Sequence, residues 1–168
     1  MRCIADAAAP PSSGLPSSPA TSIHLRGFRS PDVPTISAIV ADSLHEHYDP
    51  SLYQSLSQQW PEGFLVGVDA LERPVGFLLG VSQIDGEARI LMFAVDRNVR
   101  GLGIGYRLMS TFLERCRSRG FHRTTLEVRV SNATAIRFYT RFQFSVTDLL
   151  RSYYSDGENG YQMARPLP

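Results

Sequence analysis

One six-residue stretch, Arg100-Gly101-Leu102-Gly103-Ile104-Gly105, constrains the fold of this chain more than any other feature. An unbroken apolar run from Ile90 to Val95 precedes it, with the length and composition of a buried strand. After it, apolar residues recur at helical spacing: Ile104, Leu108, Phe112 and Cys116, with Met109 and Leu113 widening the stripe. Strand, glycine turn and helix in that order predict one unit of an α/β fold. Glycines let the backbone turn sharply and approach a ligand closely. The first turn of the helix offers unpaired N–H groups and the positive end of the helix dipole, so the unit suits a phosphate. Two common phosphate binders are excluded by spacing. The third glycine comes one residue early for G-x-G-x-x-G, and Tyr106-Arg107 stand where a nucleotide P-loop needs Lys and Ser or Thr. The plain alternative, a glycine turn that only joins a strand to a helix, has to be weighed against the rest of the chain.

A chain of 168 residues suits one domain with a substantial core. The formal net charge is +1, which points away from a nucleic-acid partner. Arg97, Arg100 and Arg107 surround the glycine turn and suit an anionic cofactor, whereas Arg115, Arg117, Arg119 and Arg123 read as a solvated helix end. Two cysteines, Cys3 in a tail and Cys116 on an apolar helix stripe, do not form a disulfide framework. His45 and His47 lack a third ligand, so no metal site is expected. No run reaches the roughly 18 apolar residues of a membrane span, and no secretory leader is visible. A cytoplasmic location is the default expectation.

Along the chain, residues 1–21 are rich in Ala, Pro and Ser without periodicity and are expected to form a flexible tail, leaving 22–168 as the domain. A strand is expected over Ser22–Phe28. A helix should then start at Ser30-Pro31-Asp32, with Ser30 as cap, and carry Val33, Ile36, Ile39, Val40 and Leu44 inward. Asp49-Pro50 predicts a second helix running to Trp60. Strands follow over 63–70 and 74–83, joined by a short hairpin link, and then the strand through Ile90–Val95. The long helix should end at Gly120. In Thr124–Val130, Leu126, Val128 and Val130 alternate with Thr125, Glu127 and Arg129. Asn132 should cap a short helix to about Phe142, and two strands close the chain near 144–153 and 161–165. This order implies a mixed sheet with helices on both faces.

The motif R-x-x-G-x-G resembles the pyrophosphate-binding turn of the Gcn5-related N-acetyltransferase (GNAT) superfamily. Further blocks are similar to one branch of it, the protein N-terminal acetyltransferases, which include the ribosomal-protein-alanine and archaeal enzymes. These blocks are Leu126-Glu127-Val128-Arg129-Val130-Ser131-Asn132 with Ala135-Ile136 and Phe138-Tyr139, then Tyr153 to Asn159 with Tyr161-Gln162-Met163, and Leu44-His45-Glu46-His47-Tyr48. The resemblance spans roughly residues 22–167. It implies the GNAT fold: about seven strands in a mixed sheet, about four helices, and central parallel strands that splay apart. Departures include Arg97 for a frequent proline, Gln143 for a frequent glycine before Phe144, Asn159 for aspartate, and the histidines beside Glu46.

The resemblance further implies an acetyl-CoA-dependent enzyme that transfers acetyl directly to an amine. Backbone of the fourth strand, here Phe93, Ala94 and Val95, would pair with the pantetheine arm. Arg100, Gly101, Leu102, Gly103, Ile104, Gly105 and Tyr106 would cradle the pyrophosphate, with Asn132 and Tyr139 as further cofactor contacts. Glu127 would take the amine proton, Tyr139 would protonate the leaving thiolate, and Glu46 would assist. Glu46, Tyr48, Tyr153 and Tyr154 would receive a peptide or protein N-terminus, with a ribosomal protein as one candidate substrate and a ribosome-associated auxiliary subunit as a candidate partner. From the residues alone, Glu127 reads more readily as a surface or ion-paired glutamate, for example with Arg129, and Tyr139 more readily as a core tyrosine. Two alternatives stay open at this point: a lysine or small-molecule amine acetyltransferase, and a non-catalytic acyl-CoA-binding module.

Overall fold

The computed structural model describes residues 4–6, 22–44 and 47–168. Most of the expected tail, with Cys3, and the pair His45-Glu46 lie outside the described residues. The elements are β1 (Ile4–Asp6), β2 (His24–Gly27), α1 (Val33–Leu44), α2 (Pro50–Gln59), β3 (Phe64–Val68), β4 (Pro74–Ser82), β5 (Glu87–Val95), α3 (Ile104–Ser118), β6 (Arg123–Arg129), α4 (Ala133–Arg141), β7 (Ser145–Leu150) and β8 (Gly160–Pro166). The strands expected as fourth and fifth are therefore β5 and β6. One sheet runs in the order β2-β3-β4-β5-β6-β8-β7, in which only β5 and β6 pair in parallel. β1 lies off this path and pairs in parallel with Met92, Phe93 and Ala94 of β5. The described residues form the expected α/β mixed sheet, seven strands on the path with β1 added to β5, and four α-helices.

The central strands are buried on both faces, so there are two apolar clusters. On one face α3 and α4 contribute Ile104, Leu108, Phe112, Cys116 and Tyr139 against Leu78, Ile90, Phe93, Leu126 and Val128. On the other, α1 and α2 set Ile36, Val40, Tyr53 and Leu56 against Val66, Phe77, Leu79, Met92 and Ala94. The inward residues expected of α1 are the ones it buries. Its start differs from expectation. A 3-10 turn at Ser30–Asp32 leads into it, and the Asp32 carboxylate, rather than Ser30, accepts the Arg29 amide at 2.8 Å while gripping Arg26. Asp49 caps α2 through the Ser51 amide at 2.8 Å, with Pro50 opening the helix.

The parting of β5 from β6 shapes the site. Their ladder holds only from Glu87, Ala88 and Arg89 to Arg123, Thr124 and Thr125. Beyond it the two strands run on without pairing each other, to Val95 and Arg129. A bulge marks the place. Leu79 pairs with Met92 but the next residue, Gly80, pairs with Ile90, leaving Leu91 as an extra residue. Bulges bend a strand and increase its twist, which here swings β5 away from β6. The same insertion puts Leu91 and Met92 into one cluster while Ile90 and Phe93 join the other. Beside the bulge, α3 lies directly on the sheet: a Cβ on Gly80 would stand 2.4 Å from the ring of Phe112, which is fully buried.

Gln143, where the family resemblance leads one to expect glycine, has φ of 63°. That left-handed backbone explains the glycine preference, since a side chain there is strained. Two substitutions check these constraints by urea unfolding. Gly80→Ala is expected to lower stability by roughly 1–3 kcal/mol, because the packed Phe112 ring has nowhere to move. Gln143→Gly is expected to raise it by up to about 1 kcal/mol.

Candidate active site

The site is built around the opening between β5 and β6. Asp96 follows β5 and caps a 3-10 turn at Arg97–Val99 through the Asn98 amide at 2.9 Å. The chain then passes Arg100 and enters the glycine turn. Gly101 and Gly103 have φ of 82° and 76°. Gly103 is the N-cap of α3 and gives it no side-chain cap. The first helical bond is Arg107 N–H to the Gly103 carbonyl at 3.0 Å, so the amides of Ile104, Gly105 and Tyr106 precede the helical ladder. A Cβ on Gly101 or Gly103 would meet no atom beyond the adjoining residues within 4 Å, so the turn that leads to these amides borders open space. Leu102 and Tyr106 are exposed beside it. Such an arrangement of free amides at a helix N-terminus suits an anionic phosphate.

The arginines around the turn are mostly engaged elsewhere. Arg100 donates Nε to the Val95 carbonyl at 3.0 Å and Nη2 to Ser43 Oγ at 3.1 Å, tying the end of β5 to α1. Arg107 binds the Ile23 carbonyl at 2.6 Å, and Arg97 lies 3.4 Å from Asp42. Arg100 thus supports the turn from behind.

On the α3 and α4 face, Asn132 caps α4 by accepting the Ala135 amide at 3.0 Å, as expected. Tyr139 of α4 is fully buried against Phe93, Phe138 and Phe144. These rings continue through Phe142 to Tyr106, so an aromatic wall links Tyr139 to the glycine turn. Cys116 is also buried on this face, and burial pushes its thiol up to about 12, which leaves it unreactive.

On the opposite face stands Glu127. The alternation of β6 holds, but its polar side is not solvent: Glu127 is 4% exposed. Its partner is also not Arg129. Arg89 of β5 donates Nε and Nη2 to Glu127 Oε2 at 3.1 and 2.9 Å, and Nη2 also lies 3.2 Å from the Tyr153 hydroxyl. Arg129 instead binds Asp156 and Glu158 at 2.8 and 2.7 Å. The two tyrosines, expected to act alike, differ. Tyr153 is half-buried at the Arg89–Glu127 pair, whereas Tyr154 is buried in the α1 and α2 cluster with Arg129 4.0 Å above its ring. Tyr48 packs at the edge of that cluster, and Glu46 lies outside the described residues. Arg89 is the functional candidate that sequence reasoning missed. Its only signal was a charge at the start of an apolar run, which reads as an ordinary strand end.

The opening leaves β5 backbone at Met92–Ala94 available on the β6 side, and β1 occupies it there as a short extended partner. Among the described residues no three His, Cys, Asp or Glu side chains converge as a metal site would require.

Residues 33–144 match the model of the acetyltransferase (GNAT) family. An uncharacterised N-acetyltransferase of Methanocaldococcus jannaschii is 34% identical over 151 residues, covering 86% of this chain and 92% of that one. An N-alpha-acetyltransferase of Sulfurisphaera tokodaii is 31% identical over 157 residues, covering 86% and 93%. The crystal structure of Ard1 from Thermoplasma volcanium superposes with a TM-score of 0.83 at 40% identity, covering 87% of this chain and 98% of that one. The chain belongs to the acetyltransferase (GNAT) family and is an acetyl-CoA-dependent N-acetyltransferase. Its own residues fit that co-substrate: uncapped amides after a glycine turn that borders open space suit the pyrophosphate, and the β5 edge takes an extended chain.

A side chain at Gly103 would enter the open space and strain a left-handed backbone. Gly103→Val is therefore expected to weaken acetyl-CoA binding at least tenfold in titration calorimetry, while stability falls by only about 1–3 kcal/mol.

Proposed function

We propose that this enzyme acetylates the α-amine at the N-terminus of a peptide or protein. The observation that carries the reading is the opening between β5 and β6, with the buried Glu127 on one face of the sheet and Tyr139 on the other. Bound acetyl-CoA supplies an activated acetyl thioester. The amides of Ile104, Gly105 and Tyr106 hold its pyrophosphate, and backbone of Phe93, Ala94 and Val95 holds the arm, for which β1 must leave the β5 edge. Asn132 and the aromatic wall complete that side. On the α1 and α2 side the peptide enters near Tyr48 and Tyr153, with Glu46 as a further substrate contact. Glu127 accepts the amine proton, directly or through one water. The oxygen not bound by Arg89 takes no hydrogen bond from the described residues and is free for this role. Tyr139, on the cofactor side, protonates the leaving thiolate.

Reactivity supports the α-amine. Its reference pKa is about 7.7–8.0 against about 10.4 for lysine, so roughly a tenth of α-amines but well under a thousandth of lysines are neutral near pH 7. A site with one carboxylate base is better matched to the former. Relatives named N-alpha-acetyltransferase support the same reading. The same reading extends to a cytosolic site of action on nascent or ribosomal proteins.

The test is acetyl transfer to peptides beginning with Ser, Ala, Met-Leu or Met-Glu, each with an internal lysine, beside α-blocked controls and spermidine, read by mass spectrometry. Acetylation confined to free α-amines is expected. Transfer to lysine or spermidine alone would move the enzyme to those substrates. The chain's basic residues are all arginine, so acetyl found on the enzyme itself cannot sit on a lysine and confuse the result. Glu127→Gln is expected to lower kcat roughly 100-fold. Tyr139→Phe should lower it at least tenfold with near-normal stability; near-normal turnover would return Tyr139 to a packing role.

A further inference from the structure

We propose that Arg89 is a positioning residue for acetyl transfer, one that orients the Glu127 carboxylate and offsets its charge so that the bound amine sheds its proton near neutral pH. The inference rests on the reading of Glu127 as the proton acceptor.

Arg89 occupies the last rung of the β5–β6 ladder, opposite Thr125. Glu127 lies two residues further along β6, past the point where pairing stops. The Arg89 side chain therefore reaches forward across the opening. Two of its nitrogens converge on one carboxylate oxygen, and the Tyr153 hydroxyl holds the guanidinium from the β7–β8 connection. The pair is not needed to join the strands. Glu87 and Arg123, on the first rung, already form a cross-strand ion pair at 3.1 Å. A side-chain exposure of 5% for Glu127 and 27% for Arg89 puts the carboxylate deep and the cation at the cleft wall. A buried ion pair is costly to desolvate, so its presence is weak evidence of a stabilising role.

The pair's charge matters to the reaction. An ammonium group brought to a lone buried carboxylate is held in its charged form. A fixed guanidinium beside that carboxylate cancels the field, and arginine keeps its charge at every working pH. Among the described residues, Glu87 is paired with Arg123 and Arg129 with Asp156 and Glu158, and the Tyr153 hydroxyl at Arg89 brings only a phenol.

The experiment is the pH dependence of kcat for an α-amine peptide at saturating substrates, in the wild type, Arg89→Gln, Arg89→Met and Arg89→Lys, with thermal unfolding to confirm the fold. In both neutral variants the low-pH limb should move up by about one pH unit, so that kcat at pH 7 drops about tenfold and partly recovers at pH 9. KM for acetyl-CoA should not change. Arg89→Lys should keep the limb of the wild type with a lower plateau, since the charge stays and the two-donor grip is lost. A limb that is unmoved or lowered in the neutral variants, or raised equally in Arg89→Lys, would overturn the proposal. So would a severalfold rise in KM for acetyl-CoA. Arg89→Met keeps the apolar stem and serves if Arg89→Gln does not fold. Glu127→Gln separates the two readings. If it retains kcat, the base assignment itself is wrong; if it is inactive while the limb stays put in Arg89→Met, only the role of Arg89 falls.

Discussion

The opening between β5 and β6 depends on one residue too many in a strand. Leu91 has no rung of its own on β4, and the bend this puts into β5 parts it from β6 after only three rungs. A parallel pair buried on both faces would ordinarily continue its ladder, since unpaired buried amides and carbonyls are costly. Here the cost is met by making the gap a place where another extended chain can pair. The parting also gives the polar residues of β6 a cleft to face. Glu127 lies two residues past the last rung, beside that gap.

Much of this architecture was legible in the residues. The spacing of Ile104, Leu108, Phe112 and Cys116 located α3 and its buried face, and the alternation of Leu126, Glu127 and Val128 assigned their opposite directions. Asp49-Pro50 and Asn132 announced helix starts because their side chains satisfy the first free amides. The bulge was not legible. Ile90 to Val95 is apolar throughout, so it carries no alternation whose interruption would reveal an extra residue. Ion-pair partners were illegible for a related reason. Arg89 and Glu127 are 38 positions apart, and their meeting depends on which way β5 bends. The cap of the first helix was misassigned because Asp32 has a second partner, Arg26, that only the tertiary fold brings near.

The cationic side chains divide into scaffolding and chemistry in a way that sequence clustering does not suggest. Arg100 and Arg107, next to the glycine turn, hold backbone carbonyls of other segments. Their planar forks, with several donors at fixed angles, suit such ties better than a lysine ammonium would. The positive charge beside the glycine turn is thus largely engaged in ties within the protein.

Gly80 shows how far from the cleft its shape is decided. Because that position lacks a side chain, the Phe112 ring can rest on the sheet next to the bulge. Phe112 lies eight residues along α3 from Ile104, a little over two helical turns. The helix thus behaves as a lever whose fulcrum is a missing methyl group and whose far end carries the open amides after the glycine turn. Transplanting the glycine turn into another protein without this seat would reproduce the loop's sequence but aim it elsewhere.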